Sequence, residues 1–183
     1  MIVTKDKKFY EKIKKLKAFG IDKDIKDRKK QGDYNVKLLG FNYRMTDFQA
    51  ALGYRQLLNY RKNLKIRHRI GKRYIKNFSK INQIKYMPYS KNNSFFVFQI
   101  FCQKRDKLLK ELQNKKIGVS VHYTNPLPAM TYYKKKYNLN FKHFLNSFYY
   151  ADSNISLPIY PKMSIREVDT ISKEIIKFFI NEK

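Results

Sequence analysis

From Thr46 to Phe78 the residues Phe48, Ala51, Leu52, Leu58, Ile66, Ile70, Tyr74 and Phe78 keep a broadly helical rhythm with no strand-like alternation between them. Thr46 stands three residues before Gln49, the spacing of a reciprocal capping box, so the helix is expected to start there. Gly53 and Gly71 are its weak points, and the pattern predicts one long helix or two abutting ones. A rod of that kind contributes no sheet. The elements before and after it in sequence therefore have to supply its apolar cover.

Upstream, "MIVT" reads as the end of a strand, and Asp6 can cap a helix in which Phe9, Ile13 and Leu16 recur, with Gly20 as its stop. Residues 21–40 lose all periodicity and read as a charged, mobile connection of little architecture. Downstream, residues 81–94 read as a link. "SFFVFQIF", "KRDKLLKELQNKKIG" and "VSVHY" then read as strand, helix and strand, with Leu108, Leu109 and Leu112 on one helical face and Gly118 closing the helix. "TNPLPAMTYYKKKYN" predicts a loop with one short helix, and "FKHFLNSFYYADSN" a helical turn. "ISLPIYP" predicts an edge strand, because Pro158 cannot donate to a ladder. Ser164 with Glu167 is a second capping box, opening a last helix with Ile165, Val168, Ile171, Ile175 and Phe178 as its stripe. The expectation is an α+β chain: a large-domain remnant at 1–45, a connecting helix region at 46–80, and a small α+β domain at 81–183.

Apolar residues are 43% of the 183 and aromatic residues 16%, so a real core is available and global disorder is excluded. The formal net charge of +27 raises nucleic acid as a partner. However, the cations are 32 Lys against 9 Arg and are strewn along the whole chain. Specific readers rely on arginine forks, so nucleic acid is disfavoured. A single cysteine, Cys102, supports neither a disulfide nor a thiolate metal cluster. The charged start is not a signal peptide, and "FFVFQIF" is far too short to span a membrane. A cytoplasmic location without membrane attachment is expected.

No complete catalytic set and no metal-ligand set appears by spacing, and Gly-rich phosphate loops, HExxH and nucleophile elbows are all absent. His68 and His143 read as solvated helix residues. His122, beside Tyr123 and ahead of a Pro-containing loop, is either a site residue or a satisfied histidine at the domain edge. In "GFNYR", a turn at Gly40 places Asn42 and Arg44 beside a helix start. The group is either an anion corner, combining an amide, a guanidinium and the helix dipole, or a loop that only caps the helix.

The order "MIVTKDKKFYEKIKKLKAFGI", "GFNYRMTDFQAALGYRQL", "NKKIGVSVHY", "ISLPIYP" and "SIREV" resembles the C-terminal half of the DegT/DnrJ/StrS-like nucleotide-sugar aminotransferases. These are pyridoxal-phosphate enzymes of the aspartate-aminotransferase fold. The resemblance implies the small domain of a fold type I enzyme preceded by helices of the large domain. It also implies that the family's catalytic lysine has no counterpart here, and Lys5 does not match it. Through the "N-x-R" motif it assigns Asn42 to the phosphate of a cofactor across a homodimer, and Arg44 to the substrate diphosphate. His122 and Tyr123 fall on the sugar-nucleotide side. The substrates implied are a nucleotide-linked keto sugar and glutamate. The family's Ala-Glu pair is replaced by Ser147 and Phe148.

Two readings follow. In the first, the chain is the C-terminal part of such an enzyme, either a truncated product or one half of a split gene whose separate N-terminal half would be its partner. It then holds no pyridoxal phosphate and has no transaminase activity by itself. In the second, it is a noncatalytic basic module for RNA or an anionic surface that keeps the ancestral fold.

Overall fold

The computed structural model describes residues 2–181. The chain forms two compact units that divide after Leu58, inside its longest helix. No helix among the described residues is long and apolar enough to cross a membrane.

In the first unit, helix α1 spans Lys7–Leu16 and is capped by Asp6, whose side chain accepts from the Phe9 N–H at 3.1 Å. Ile2, Val3 and Thr4 belong to no strand, which corrects the expectation for "MIVT"; Met1 lies outside the described residues. The segment after α1 is also more ordered than its charge pattern predicts. The Lys37 N–H donates to the Gly20 carbonyl at 3.1 Å, and the Asp22 and Asn35 main chains meet through an Asp22 N–H bond of 3.0 Å. Lys23 pairs with Asp33 at 2.9 Å, and a short 3₁₀ turn occupies Ile25–Asp27. Polar cross-links hold this excursion, and hydrophobic periodicity does not register them.

Helix α2 spans Asp47–Phe78 as one unbroken element of 32 residues. Its capping box is closed in both directions: the Thr46 N–H donates to Gln49 Oε1 at 3.0 Å and the Gln49 N–H to Thr46 Oγ at 3.2 Å. Gly71 does not interrupt the helix and has a packing role. A Cβ there would lie 2.7 Å from the Phe95 ring, so the missing side chain lets Phe95 pack against the helix.

The second unit is built on a three-stranded antiparallel sheet in the order β1 (Lys85–Tyr86), β2 (Phe98–Phe101), β3 (Asn154–Leu157). One sheet face carries Phe98, Ile100, Ile155 and Leu157 into a core shared with Ile70, Tyr74 and Phe78 of α2. Helix α3 (Arg105–Asn114) adds Leu108 and Leu112, and helix α6 (Ile165–Asn181) adds Val168, Ile171, Ile175 and Phe178. The Ser164–Glu167 box opens α6 as expected, with hydrogen bonds of 2.7 and 3.2 Å. Helix α4 (Thr131–Lys136) and helix α5 (Leu145–Ser153) fill the connection before β3.

Several sequence expectations are corrected here. β1 lies inside what reads as a link. β2 starts only at Phe98, because Phe95 takes a positive φ of 47° and its N–H is held by Asn93 Oδ1 at 2.8 Å. "VSVHY" is not a full strand and contributes one bridge, Ser120 to Ser156. After α3 the left-handed position is taken by Lys116 at φ 58°, not by Gly118. His68 is half-buried and not fully solvated: its ring meets Phe95 edge-on at 5.0 Å and Tyr89 at 5.7 Å, with Nδ1 buried.

Arg73 of α2 grips Asp169 of α6 with two hydrogen bonds of 2.6 and 2.7 Å, and Asn77 adds a third at 2.9 Å. The Arg73 fork, helped by Asn77, holds the Asp169 carboxyl down at about 2. A depressed carboxyl contributes stability that is present above its ordinary value near 4 and is lost as the pH falls toward about 2. The melting temperature of the wild type is therefore expected to drop more steeply than that of Asp169→Asn on acidification through that window. Parallel curves would contradict the assignment.

Candidate functional site

The "GFNYR" loop is fixed by main-chain bonds to the end of α1. The Phe41 N–H donates to the Leu16 carbonyl at 2.7 Å, the Phe19 N–H to Phe41 at 3.0 Å, and the Tyr43 N–H to Lys17 at 2.9 Å. Gly20 and Gly40 make this ladder possible. A Cβ on Gly40 would lie 2.1 Å from the Gly20 nitrogen, and one on Gly20 1.7 Å from the Leu38 oxygen. Here the bunched glycine of the sequence has its cause. Gly40→Ala must push the two backbones apart, so the Phe19, Phe41 and Tyr43 amides are expected to exchange hydrogen at least about tenfold faster by mass spectrometry or NMR. Unchanged protection would contradict the close approach.

The ladder sets where the side chains go. Phe41 and Tyr43 stack with centroids 5.3 Å apart, so by the two-residue alternation of extended chain Asn42 and Arg44 fall on the opposite side. Both are exposed, and the Arg44 guanidinium lies over the Phe19 ring at 5.4 Å. The anion corner is narrower than expected. Thr46 already satisfies the Gln49 N–H, and Asp47 puts a carboxylate in the first turn of α2. What remains for an anion is the Arg44 fork and the Asn42 amide.

His122 and Tyr123 lie in the second unit, both exposed, with their rings edge to face at 5.4 Å. His122 is anchored at three atoms. Its N–H donates to Asn154 Oδ1 at 3.0 Å, its carbonyl accepts from Gln99 Nε2 at 3.1 Å, and its Nδ1 lies 2.8 Å from Ser156 Oγ. Strand register explains the convergence. Gln99 pairs with Ser156 and Phe101 with Asn154, so Gln99, Asn154 and Ser156 share the sheet face away from the core. Ser120 bridges Ser156, and His122 two residues on returns to the same face. Asn154 is buried and also donates to the Tyr150 carbonyl at 2.5 Å. Neither Gln99 nor Asn154 is marked by a motif, and Ser156, inside "ISLPIYP", carries no site role in the sequence reading. The one signal was Gln99, the single polar residue inside "FFVFQIF".

His143 is exposed in a 3₁₀ turn. Phe148, which stands where the resemblance implies a Glu, packs edge-on to Phe141 at 6.1 Å and serves aromatic packing. Cys102 is buried, which pushes its thiol up to about 11. Among the described residues no group of three His, Cys, Asp or Glu is placed to hold a metal.

The fit to pyridoxal phosphate is partial. An exposed amide and an exposed guanidinium on a rigid ladder suit the edge of a phosphate or diphosphate. They do not make a seat for the ring of the cofactor. The cavity of about 500 Å³ in the second unit is bounded by other residues, Lys85, Cys102 and Tyr149 among them.

The chain matches the DegT/DnrJ/EryC1/StrS aminotransferase family over residues 1–176. It is 31% identical over 190 residues to a UDP-4-amino-4,6-dideoxy-N-acetyl-beta-L-altrosamine transaminase of Campylobacter jejuni, covering 100% of this chain and 48% of that protein. It is 30% identical to the spore coat polysaccharide biosynthesis protein SpsC of Bacillus subtilis, covering 93% of this chain and 47% of that one. Among solved structures it is similar to Helicobacter pylori PseC, an aminotransferase involved in the biosynthesis of pseudoaminic acid. That likeness has a TM-score of 0.85 at 25% identity and covers 98% of this chain and 48% of that chain. The chain thus spans about half the length of the curated relatives it matches. The α+β architecture expected from the sequence agrees with these neighbours.

Proposed function

The chain belongs to the DegT/DnrJ/EryC1/StrS aminotransferase family, and from that premise we propose that it is the C-terminal half of a pyridoxal-phosphate enzyme that aminates a nucleotide-linked keto sugar for a surface glycan. The observation that carries this reading is the match along the entire chain to a UDP-sugar transaminase of which it covers 48%. Glutamate is the amino donor in this reading, and the complete enzyme works as a cytoplasmic homodimer.

Pyridoxal phosphate, when bound, supplies the electron sink through which the amino group moves. The residues of this chain bind and orient. Asn42 offers its carboxamide to the phosphate of a cofactor seated mainly on other residues. Arg44 offers a planar fork to the diphosphate of the nucleotide sugar. His122 and Tyr123 line the sugar-nucleotide side. The ladder that fixes Asn42 and Arg44 supports this, because a rigid backbone lowers the ordering cost of each contact.

The 183-residue chain by itself is expected to hold no cofactor absorbance that responds to glutamate. Completed by the other half, within one polypeptide or as a separate chain, it is expected to show a cofactor band that shifts to shorter wavelength on adding glutamate. A response from the 183 residues alone would contradict the proposed division of labour.

A further inference from the structure

The Ser156 side chain is buried, and its Oγ has His122 Nδ1 as its hydrogen-bond partner at 2.8 Å. A buried hydroxyl that leaves its proton without an acceptor carries a penalty. With the imidazole neutral and Nδ1 unprotonated, Nδ1 accepts from the Ser156 O–H. In a neutral imidazole that places the ring proton on Nε2. Ser120 Oγ stands farther from Nδ1, at 3.5 Å. The main chain of His122 is held independently, by Asn154 at its N–H and by Gln99 at its carbonyl. The ring therefore keeps only its two side-chain torsions, and the contact of Nδ1 with Ser156 restrains both.

We propose that Ser156 is a positioning residue that fixes the His122 ring and, in the neutral imidazole, leaves the ring proton on Nε2, presented as a hydrogen-bond donor to an acceptor oxygen of the nucleotide sugar. Strand pairing puts Ser156 under the ring: it lies opposite Gln99 of β2 in register on one side, and on the other it exchanges both main-chain hydrogen bonds with Ser120, two residues before His122. Its hydroxyl points where the strand face demands. The substrate part of the proposal rests on the reading of His122 given above; the ring geometry does not.

The first test needs only this chain, labelled with ¹⁵N at histidine and held at about pH 8.5, well above the ordinary histidine range. The expected spectrum shows a pyrrole-like Nε2 and a pyridine-like Nδ1 for His122. Ser156→Ala is expected to broaden or average the His122 ring signals, and Ser156→Thr, which keeps the hydroxyl, to restore them. A proton on Nδ1 in the wild type, or sharp unchanged signals in Ser156→Ala, would overturn the positioning role. The second test uses the completed enzyme. There Ser156→Ala is expected to raise KM for the nucleotide sugar about three- to tenfold, the loss of one oriented hydrogen bond, with the glutamate half-reaction unchanged and Ser156→Thr near wild type. A loosened ring with unchanged KM would overturn the placement of His122 at the substrate and leave the ring result standing. An enzyme that aminates no sugar would instead defeat the functional reading itself.

Discussion

Replacing Tyr74 with alanine is expected to remove a third or more of the stability of the second unit. Tyr74 is fully buried on α2, its ring stacks on Phe98 at 4.9 Å and on Phe78 at 5.9 Å, and its hydroxyl donates to the Pro158 carbonyl at 3.1 Å. It thus joins the long helix, the central strand and the turn that ends β3. Large-to-small truncation of a buried aromatic costs about 3–5 kcal/mol, and the abandoned carbonyl adds to that. The whole stability of such a unit is about 5–15 kcal/mol. Tyr74→Phe keeps the rings and loses only the hydroxyl, at about 1 kcal/mol. Chemical denaturation of the pair checks this. Equal losses for Ala and Phe would mean that the hydroxyl, and not the packed ring, carries the position.

The second large effect concerns binding. In the completed enzyme Arg44→Ala is expected to raise KM for the nucleotide sugar about 10- to 100-fold, the cost of a charge-assisted hydrogen bond to the diphosphate. The glutamate half-reaction should stay close to wild type, because a contact made only with the sugar nucleotide does not enter it. Arg44→Lys should recover part of the loss, since an ammonium keeps the charge and gives up the fork. The fold offers little resistance to these changes: Arg44 is exposed and touches its own unit mainly through the Phe19 ring. A variant whose glutamate and sugar kinetics fell together would contradict the assignment of Arg44 to the diphosphate.

The sequence made the helices legible because their ends and faces are local. Asp6, Thr46 with Gln49 and Ser164 with Glu167 each satisfy N–H groups within one turn, and all three caps form as spaced. The stripe of α6 was equally readable, since a helix declares its buried face by period alone. The sheet was less legible. β1 has only two residues, and β2 is cut short by the positive φ of Phe95, which no propensity assigns to phenylalanine. Segments 21–40 and 119–123 are held by pairings with distant main chain, Lys37 to Gly20 and Ser120 to Ser156, and such pairings leave no period behind. The same reason hid half of the candidate site. Asn42, Arg44, His122 and Tyr123 could be named from motifs. Gln99, Asn154 and Ser156 come together only through strand register, which the sequence does not print.

Whether a nucleotide-linked keto sugar gains its amino group through these residues is decided by following nitrogen. The completed protein would be given ¹⁵N-glutamate and a nucleotide-linked keto sugar, and the sugar product weighed by mass spectrometry. The expected product is a nucleotide sugar heavier by one labelled amino group, formed only when both halves are present and reduced by Arg44→Ala at low sugar concentration. Label that stays in glutamate, with both halves folded and cofactor bound, would contradict it.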